Sequence, residues 1–263
     1  MCMKQVVINA DDFGYSLAVN RGVIKAYKDG MVSSTTLMAN MPGCLEAIKL
    51  ASENKDLGVG CHLNITTGKP MTDAKSLVDE NGEFYHLAGY KEHRSEMDPE
   101  EIYREWCAQV DFLLSKGVKL THLDSHHHVH SFPENLALTQ RISDKYQLPV
   151  RNCYGIEDQV KLSYQRGIAG FDDLMNYPHI RSLDKSYHAD QEQCLIEIQA
   201  VLDRLQDNQI TEFMVHPAFV DETLYFGSSF NIPRIKEVTI LCDSAFKQKL
   251  HENQVEVIPY PNF

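Results

Sequence analysis

Apolar residues along this chain fall into two alternating rhythms. Short apolar runs, the mark of buried strands, take turns with stretches whose apolar positions recur every three to four residues, the mark of helices. The runs predict strands over 5–10, 33–39, 57–63, 119–124, 149–151, 210–215 and 255–258. The helical rhythm covers 17–29, 43–53, 99–116, 133–146, 190–207 and 233–253. In the helix over 99–116, Ile102, Trp106, Val110, Leu113 and Leu114 share one face, with Pro99 in the first turn and Gly117 at the end. Two stretches keep neither rhythm. Residues 66–98, rich in Gly, Asp, Lys and His, read as a functional loop or lid. Residues 154–186 hold only a weak strand signal near 179–183.

Strand and helix in strict alternation imply parallel pairing, because each crossover returns the chain to the same end of the sheet. So many units in one chain favour a closed β/α barrel over an open sheet. No repeat, low-complexity tract or linker divides the 263 residues, so one domain spans 1–263.

That topology gives meaning to the polar residues, which cluster where strands end. Asp11 and Asp12 follow the first strand, and His62 and Asn64 close the third. Asp124, Ser125, His126, His127 and His128 close the fourth, Arg151 the fifth, and His216 follows the strand over 210–215. In a parallel barrel these ends share one face, where catalytic groups gather. Adjacent carboxylates repel, so Asp11-Asp12 needs a cation or divided roles; a solvated turn with an N-cap aspartate is the bland alternative. A metal can take one carboxylate while the other stays free as a base.

Residues 121–130 hold five of the twelve histidines, a density better suited to a divalent cation than to packing or a biased surface loop. Strand alternation sends Asp124, His126 and His128 to one side and Ser125 and His127 to the other, so they cannot all ligate one ion. His62 is the companion ligand. Two imidazoles and one carboxylate leave coordination positions open for water. His216 suits a general acid, its ring oriented by a carboxylate such as Asp221. Arg151 would hold Asp11 or a substituent of the substrate, with Asp124 and Asn64 in support.

Composition narrows the partners. Twenty-five basic against 37 acidic residues give a net charge of −12, and no dense Lys/Arg run offers a nucleic-acid surface. Seven scattered cysteines without a C-x-x-C pair do not form a disulfide or structural-zinc framework. No apolar run reaches 18 residues, so no membrane span is expected and the cytoplasm is the natural compartment. Neither a G-x-S-x-G elbow, a P-loop nor G-x-G-x-x-G occurs, which leaves serine hydrolase, NTPase and dinucleotide readings without support.

Taken together, NADDFG at 9–14, SSTTLMANMP at 33–42, GCHLN at 60–64, THLDSHHHVH at 121–130 and HPA at 216–218 resemble the YdjC-like carbohydrate deacetylases. That family includes the chitooligosaccharide deacetylases. The resemblance runs through nearly the whole chain and is weakest over 154–210. It implies an irregular seven-stranded β/α (TIM-like) barrel, a divalent metal (Mg2+, with Zn2+ the alternative), hydrolysis of N-acetyl groups on small glycans, and a homodimer. Carried over position by position, Asp12, His62 and His126 become the metal ligands and Asp11 the base, with His216 as acid. Two readings from other classes stand beside it: a metal-dependent phosphoesterase, and a sugar- or metal-binding barrel without turnover.

Overall fold

The computed structural model describes residues 4–153, 168–182 and 184–260. Its seven strands are β1 (Lys4–Phe13), β2 (Ser34–Leu37), β3 (Gly58–Leu63), β4 (Leu120–Ser125), β5 (Ile168–Asp173), β6 (Ile210–Val215) and β7 (Val255–Val257). After β1 comes α1 (Leu17–Lys28), and after β2 comes α2 (Cys44–Glu53). Between β3 and β4 lie α3 (Leu87–His93) and α4 (Pro99–Ser115), and α5 (Leu136–Tyr146) follows β4. Short α6 (Pro178–Arg181) and long α7 (Tyr187–Leu202) lead from β5 to β6. The chain ends through α8 (Glu222–Gly227), α9 (Pro233–Leu241), α10 (Ser244–Glu252) and β7.

Every strand pair is parallel, in the order β4-β3-β2-β1-β6-β5. Helices cover a sheet built this way, so its strands are buried rather than alternating. All of β2 and β3 is buried accordingly. The hydroxyls of β2 survive there because they find acceptors: Thr35 Oγ1 donates to Ala10 O at 2.6 Å and Thr36 Oγ1 to Asp124 Oδ2 at 2.9 Å.

The central strand, β1, has three neighbours. Its residues 5–10 pair with β6, while β2 takes only Asn9, Ala10 and Phe13 on the other edge. The lower half of that edge, Lys4 to Val6, is left for β7. The chain's last strand therefore wedges between the lower ends of β1 and β2, and Tyr260 N–H donates to Ser34 Oγ at 2.8 Å just beyond it.

Seven parallel strands agree with the expectation, but closure does not. Among the described residues β4 and β5 pair with no common strand, so the sheet curls as a half-barrel rather than a closed one. The strand expected at 149–151 reduces to one bridge, Val150 to Leu123. Two hydrogen bonds flank it, Leu123 N–H to Pro149 O and Arg151 N–H to Leu123 O, both 2.8 Å, and these hold Arg151 against β4. The true fifth strand, β5, lies in the stretch where the sequence is hardest to read. The strand expected near 179–183 is instead the helix α6, started by Pro178, and Leu183 lies outside the described residues. The helix expected over 233–253 breaks at Asp243, whose carboxylate accepts from Ala245 N–H and caps α10.

The excursion over 66–98 packs down on α4. Glu105, fully buried, accepts from the N–H groups of Met71 and Thr72 and from the Thr72 hydroxyl. Buried Leu77, Phe84, Tyr90 and Met97 join the main core. No helix among the described residues is long and apolar enough to cross a membrane.

Candidate active site and metal centre

The two aspartates sit where β1 loses its register against β2. Ala10 faces Thr35 and Phe13 faces Leu37, so Asp11 and Asp12 together oppose the single residue Thr36. Such a bulge re-aims side chains that regular alternation would send apart. Asp12 completes it with φ +67°, a left-handed conformation that aspartate tolerates better than most residues. Both carboxylates are buried, at 2% and 1% exposure.

His62 arrives from β3 in register with Asp124 of β4. Its Nδ1 is 2.7 Å from Asp124 Oδ1, and its Nε2 lies 3.3 Å from Asp12 Oδ1. His126 follows β4, with Nδ1 2.9 Å from the same Asp12 oxygen. Alternation does not continue beyond β4. Residues His126–Ser131 form 3₁₀ turns in which His127 and His128 both have φ +56°. The histidine block therefore fans out instead of alternating. His127 Nδ1 meets Thr66 Oγ1 at 2.9 Å, and His128 packs edge-on against Phe171. His130 is buried between Ser125 Oγ at 2.6 Å and Arg151 O at 3.2 Å. His122 points below the site, with Nε2 3.1 Å from Asn9 Oδ1. Of the five, only His126 joins Asp12 and His62.

Asp12, His62 and His126 present ligand atoms that all lie within 4.8 Å of one another. Both Asp12 oxygens are buried, and neither makes an aligned hydrogen bond. Arg234 Nη1 stands 2.7 Å from Asp12 Oδ2, close enough for an ion pair but out of line for a hydrogen bond. An orphaned carboxylate facing two imidazoles is the donor set that a divalent cation satisfies, so the residues fit one. Burial works against the charged His62, but the hydrogen-bonded Asp124 carboxylate, with Asp12 and Asp11 beside it, outweighs it and pushes its pKa up to about 10. Cation binding would release that proton.

Asp11 belongs to a second, fully buried network. Arg151 grips it with both terminal nitrogens, Nη1 to Oδ2 at 2.7 Å and Nη2 to Oδ1 at 2.5 Å. The same guanidinium reaches Asp124 Oδ2 at 2.8 Å and Glu212 Oε1, the latter from Nε at 2.9 Å. Arg151 thus holds Asp11 and, at 0% exposure, is closed to any ligand from solvent. Burial raises the Asp11 carboxyl, yet the Arg151 charge and hydrogen bonds win and hold it well below the usual carboxylate range. His216 Nε2 lies 4.0 Å from Asp11 Oδ2. Burial first, then the Arg234 charge, brings His216 down to about 4, so its resting ring is neutral.

Two expected supports lie elsewhere. Asp221 accepts from Ala18 N–H at 3.1 Å and Leu224 N–H at 3.0 Å, so its carboxylate is spent on holding α1 and capping α8 rather than on His216. The carboxylate beside His216 is Glu237, which accepts the His216 backbone N–H and is pushed up to about 8 by burial. Asp221→Ala is expected to cost about 1 kcal/mol in urea unfolding, as a lost cap does, and to leave turnover unchanged. Loss of turnover in the folded variant would return Asp221 to the site. Asn64 ties the turn after β3, its amide donating to Thr67 O at 2.8 Å and to Asn40 Oδ1 at 2.9 Å.

The sequence reading missed Glu212, Arg234 and Glu237. Glu212 had a signal, an acid inside the apolar strand ITEFMV, where an unpaired charge would be too costly to bury. The two α9 residues had none. A glycine sets the approach of the His216 turn: a Cβ on Gly22 would lie 2.4 Å from Ala218 Cα, so only glycine lets α1 sit this close.

The family described as YdjC-like protein matches residues 5–252. A carbohydrate deacetylase of Geobacillus stearothermophilus is 36% identical, over 99% of this chain and 98% of that protein. One of Brevibacillus brevis is 35% identical over 97% and 98%. A crystal structure from Enterococcus faecalis, of a protein proposed to cleave cellobiose phosphate, superposes with a TM-score of 0.83 at 32% identity, covering 98% of each chain. A family 4 carbohydrate esterase of Streptomyces lividans, at 9% identity and a TM-score of 0.50, shares the fold alone. By the extent of these matches, the chain belongs to the YdjC-like family.

Proposed function

We propose that this protein is a metal-dependent hydrolase that removes N-acetyl groups from small acetylated carbohydrates such as chitooligosaccharides. One observation carries the reading: a base held by Arg151 and a histidine 4.0 Å from it flank a buried Asp-His-His cluster at one end of the sheet. Relatives named carbohydrate deacetylases, similar over almost their whole length, support the same chemistry.

Asp12, His62 and His126 would hold the cation, Mg2+ in the first instance and Zn2+ as the alternative. When bound, it would supply Lewis-acid polarisation of the acetyl carbonyl and lower the pKa of the attacking water. Asp11 takes the proton from that water as it adds to the carbonyl carbon. A carboxylate held this far down keeps a proton poorly and passes it on readily. His216, neutral at rest, is placed to receive it and deliver it to the departing amine. The C–N bond breaks, and acetate and the free amino sugar leave. The packing of Arg151 against Asp11 keeps the base aimed throughout.

The test is acetate release from a panel of N-acetylated oligosaccharides, with and without a phosphate, in defined Mg2+ or Zn2+. Release from at least one glycan, abolished by chelation and restored by metal, is expected. His126→Ala should lose bound metal by elemental analysis; unchanged stoichiometry would remove it from the ligand set. Two metals per chain with phosphate release would favour a phosphoesterase, and binding without any release a non-catalytic barrel.

A further inference from the structure

The segment just beyond β7 reaches the active site from below. Tyr260, three residues from the end of the sequence, is 1% exposed and packs under the sheet just beyond β7. Its hydroxyl donates to Glu212 Oε2. The other Glu212 oxygen accepts from Arg151 Nε at 2.9 Å, and Arg151 holds both oxygens of Asp11. The ring has a second line to the same carboxylate. It stacks on His122, centroids 3.5 Å apart and planes at 8°, and His122 Nε2 meets Asn9 Oδ1 at 3.1 Å. Asn9 Nδ2 in turn donates to Asp11 Oδ1 at 2.9 Å. Both lines begin at Tyr260 and end on Asp11.

We propose that Tyr260 is a positioning residue for catalysis, setting the aim of Asp11 through Glu212 and Arg151 on one side and through His122 and Asn9 on the other. The physical need is plain. An arginine held between several carboxylates has several poses of similar energy. A carboxylate fixed at its far oxygen by a buried phenol offers its near oxygen to Nε in one orientation, and so keeps both terminal nitrogens on Asp11 while Nη2 also meets Asp124 Oδ2. Buried hydrogen-bond networks that are fully satisfied specify one arrangement in this way. Small misplacements of a catalytic group cost rate far more than they cost binding. The tail thereby makes active-site geometry depend on correct seating of the last strand.

This inference rests on the deacetylase reading only for its kinetic readout. Tyr260→Phe keeps the ring on His122 and removes the hydroxyl alone. The expected result is a fall in kcat for acetate release of about tenfold, the scale of a modest misalignment, with KM and bound-metal content unchanged. Glu212→Gln, whose single amide oxygen cannot accept from both Arg151 Nε and the Tyr260 hydroxyl, should show the same split, and the double variant should lose no more than the worse single one. An unchanged kcat in Tyr260→Phe, or a loss that merely tracks metal content, overturns the proposal. A second readout needs no substrate: the 15N–1H resonance of Arg151 Nε should move in Tyr260→Phe. If the wild type releases acetate from no glycan, the deacetylase reading fails, and this resonance still decides. A shift supports the relay, and an unmoved resonance ends it. Should Tyr260→Phe not fold, Glu212→Gln carries both measurements by the same criteria.

Discussion

Asp11→Asn is expected to cut acetate release by about 10²- to 10⁴-fold, the range spanned by general-base catalysis, with KM and metal content close to those of the wild type. The substitution keeps the shape of the side chain, and its amide oxygen can still accept from Arg151. What it loses is the ability to take a proton. Asp12→Asn makes the contrast, because the affected group there faces His62 and His126. That variant should lose metal first and activity with it. The two neighbours differ by one position in sequence and are separated in role by the bulge opposite Thr36. Full activity in Asp11→Asn would place the base elsewhere; metal loss in Asp11→Asn, with metal kept in Asp12→Asn, would exchange the two assignments. Because Arg151 also meets Asp124 and Glu212, the guanidinium retains charged partners in Asp11→Asn, so the folded enzyme should remain measurable.

Much of this arrangement was legible in the sequence, and the exceptions share a cause. Strands β1, β3, β4 and β6 announce themselves as apolar runs, and parallel topology then brings Asp11, Asp12, His62 and His126 to one end. Local rules fail where backbone conformation is set by tertiary contacts. Alternation cannot foresee that His127 and His128 turn left-handed, nor that a bulge would aim both aspartates at the same face. Asp221 shows the limit from another side: an aspartate three positions before a helical leucine reads equally well as a cap or as a histidine's partner, and here capping won. β5 was missed because IAGFDD carries a glycine and two acids, and its glycine packs against Thr211, with Thr211 Oγ1 2.5 Å from where a Cβ would be. Tyr260 and Arg234 give no sign at all. Each lies far from the motifs in sequence and acts through the fold.

Arg151→Met is the substitution expected to damage stability most, by about 3–5 kcal/mol, the scale for leaving buried charge without its partner. Arg151 is the cation common to Asp11, Asp124 and Glu212, all fully or nearly fully buried; His62 compensates Asp124 in part but does not touch Glu212. Its removal should also reverse a pH dependence. In the wild type Arg151 holds Asp11 below the usual carboxylate range, so the unfolded chain binds that proton more readily. The stabilisation is therefore fully present above the unfolded carboxylate pKa and is lost as pH falls from there through the lower folded value. Glu212 is raised by burial even with Arg151 beside it. Without the guanidinium, burial, the largest influence on both carboxyls, outweighs the smaller lowering by His62 and His216 on Asp11 and by the Tyr260 hydroxyl on Glu212. It lifts their folded values, so the folded form binds the extra protons and stability falls as pH rises. The difference between wild type and Arg151→Met in urea unfolding should accordingly widen between about pH 4 and pH 7, the span over which carboxylates with ordinary and raised pKa values ionise. A difference that stays constant across that range would mean that Arg151 contributes packing rather than charge. In that case the aim of Asp11 would have to be set by Asn9 alone.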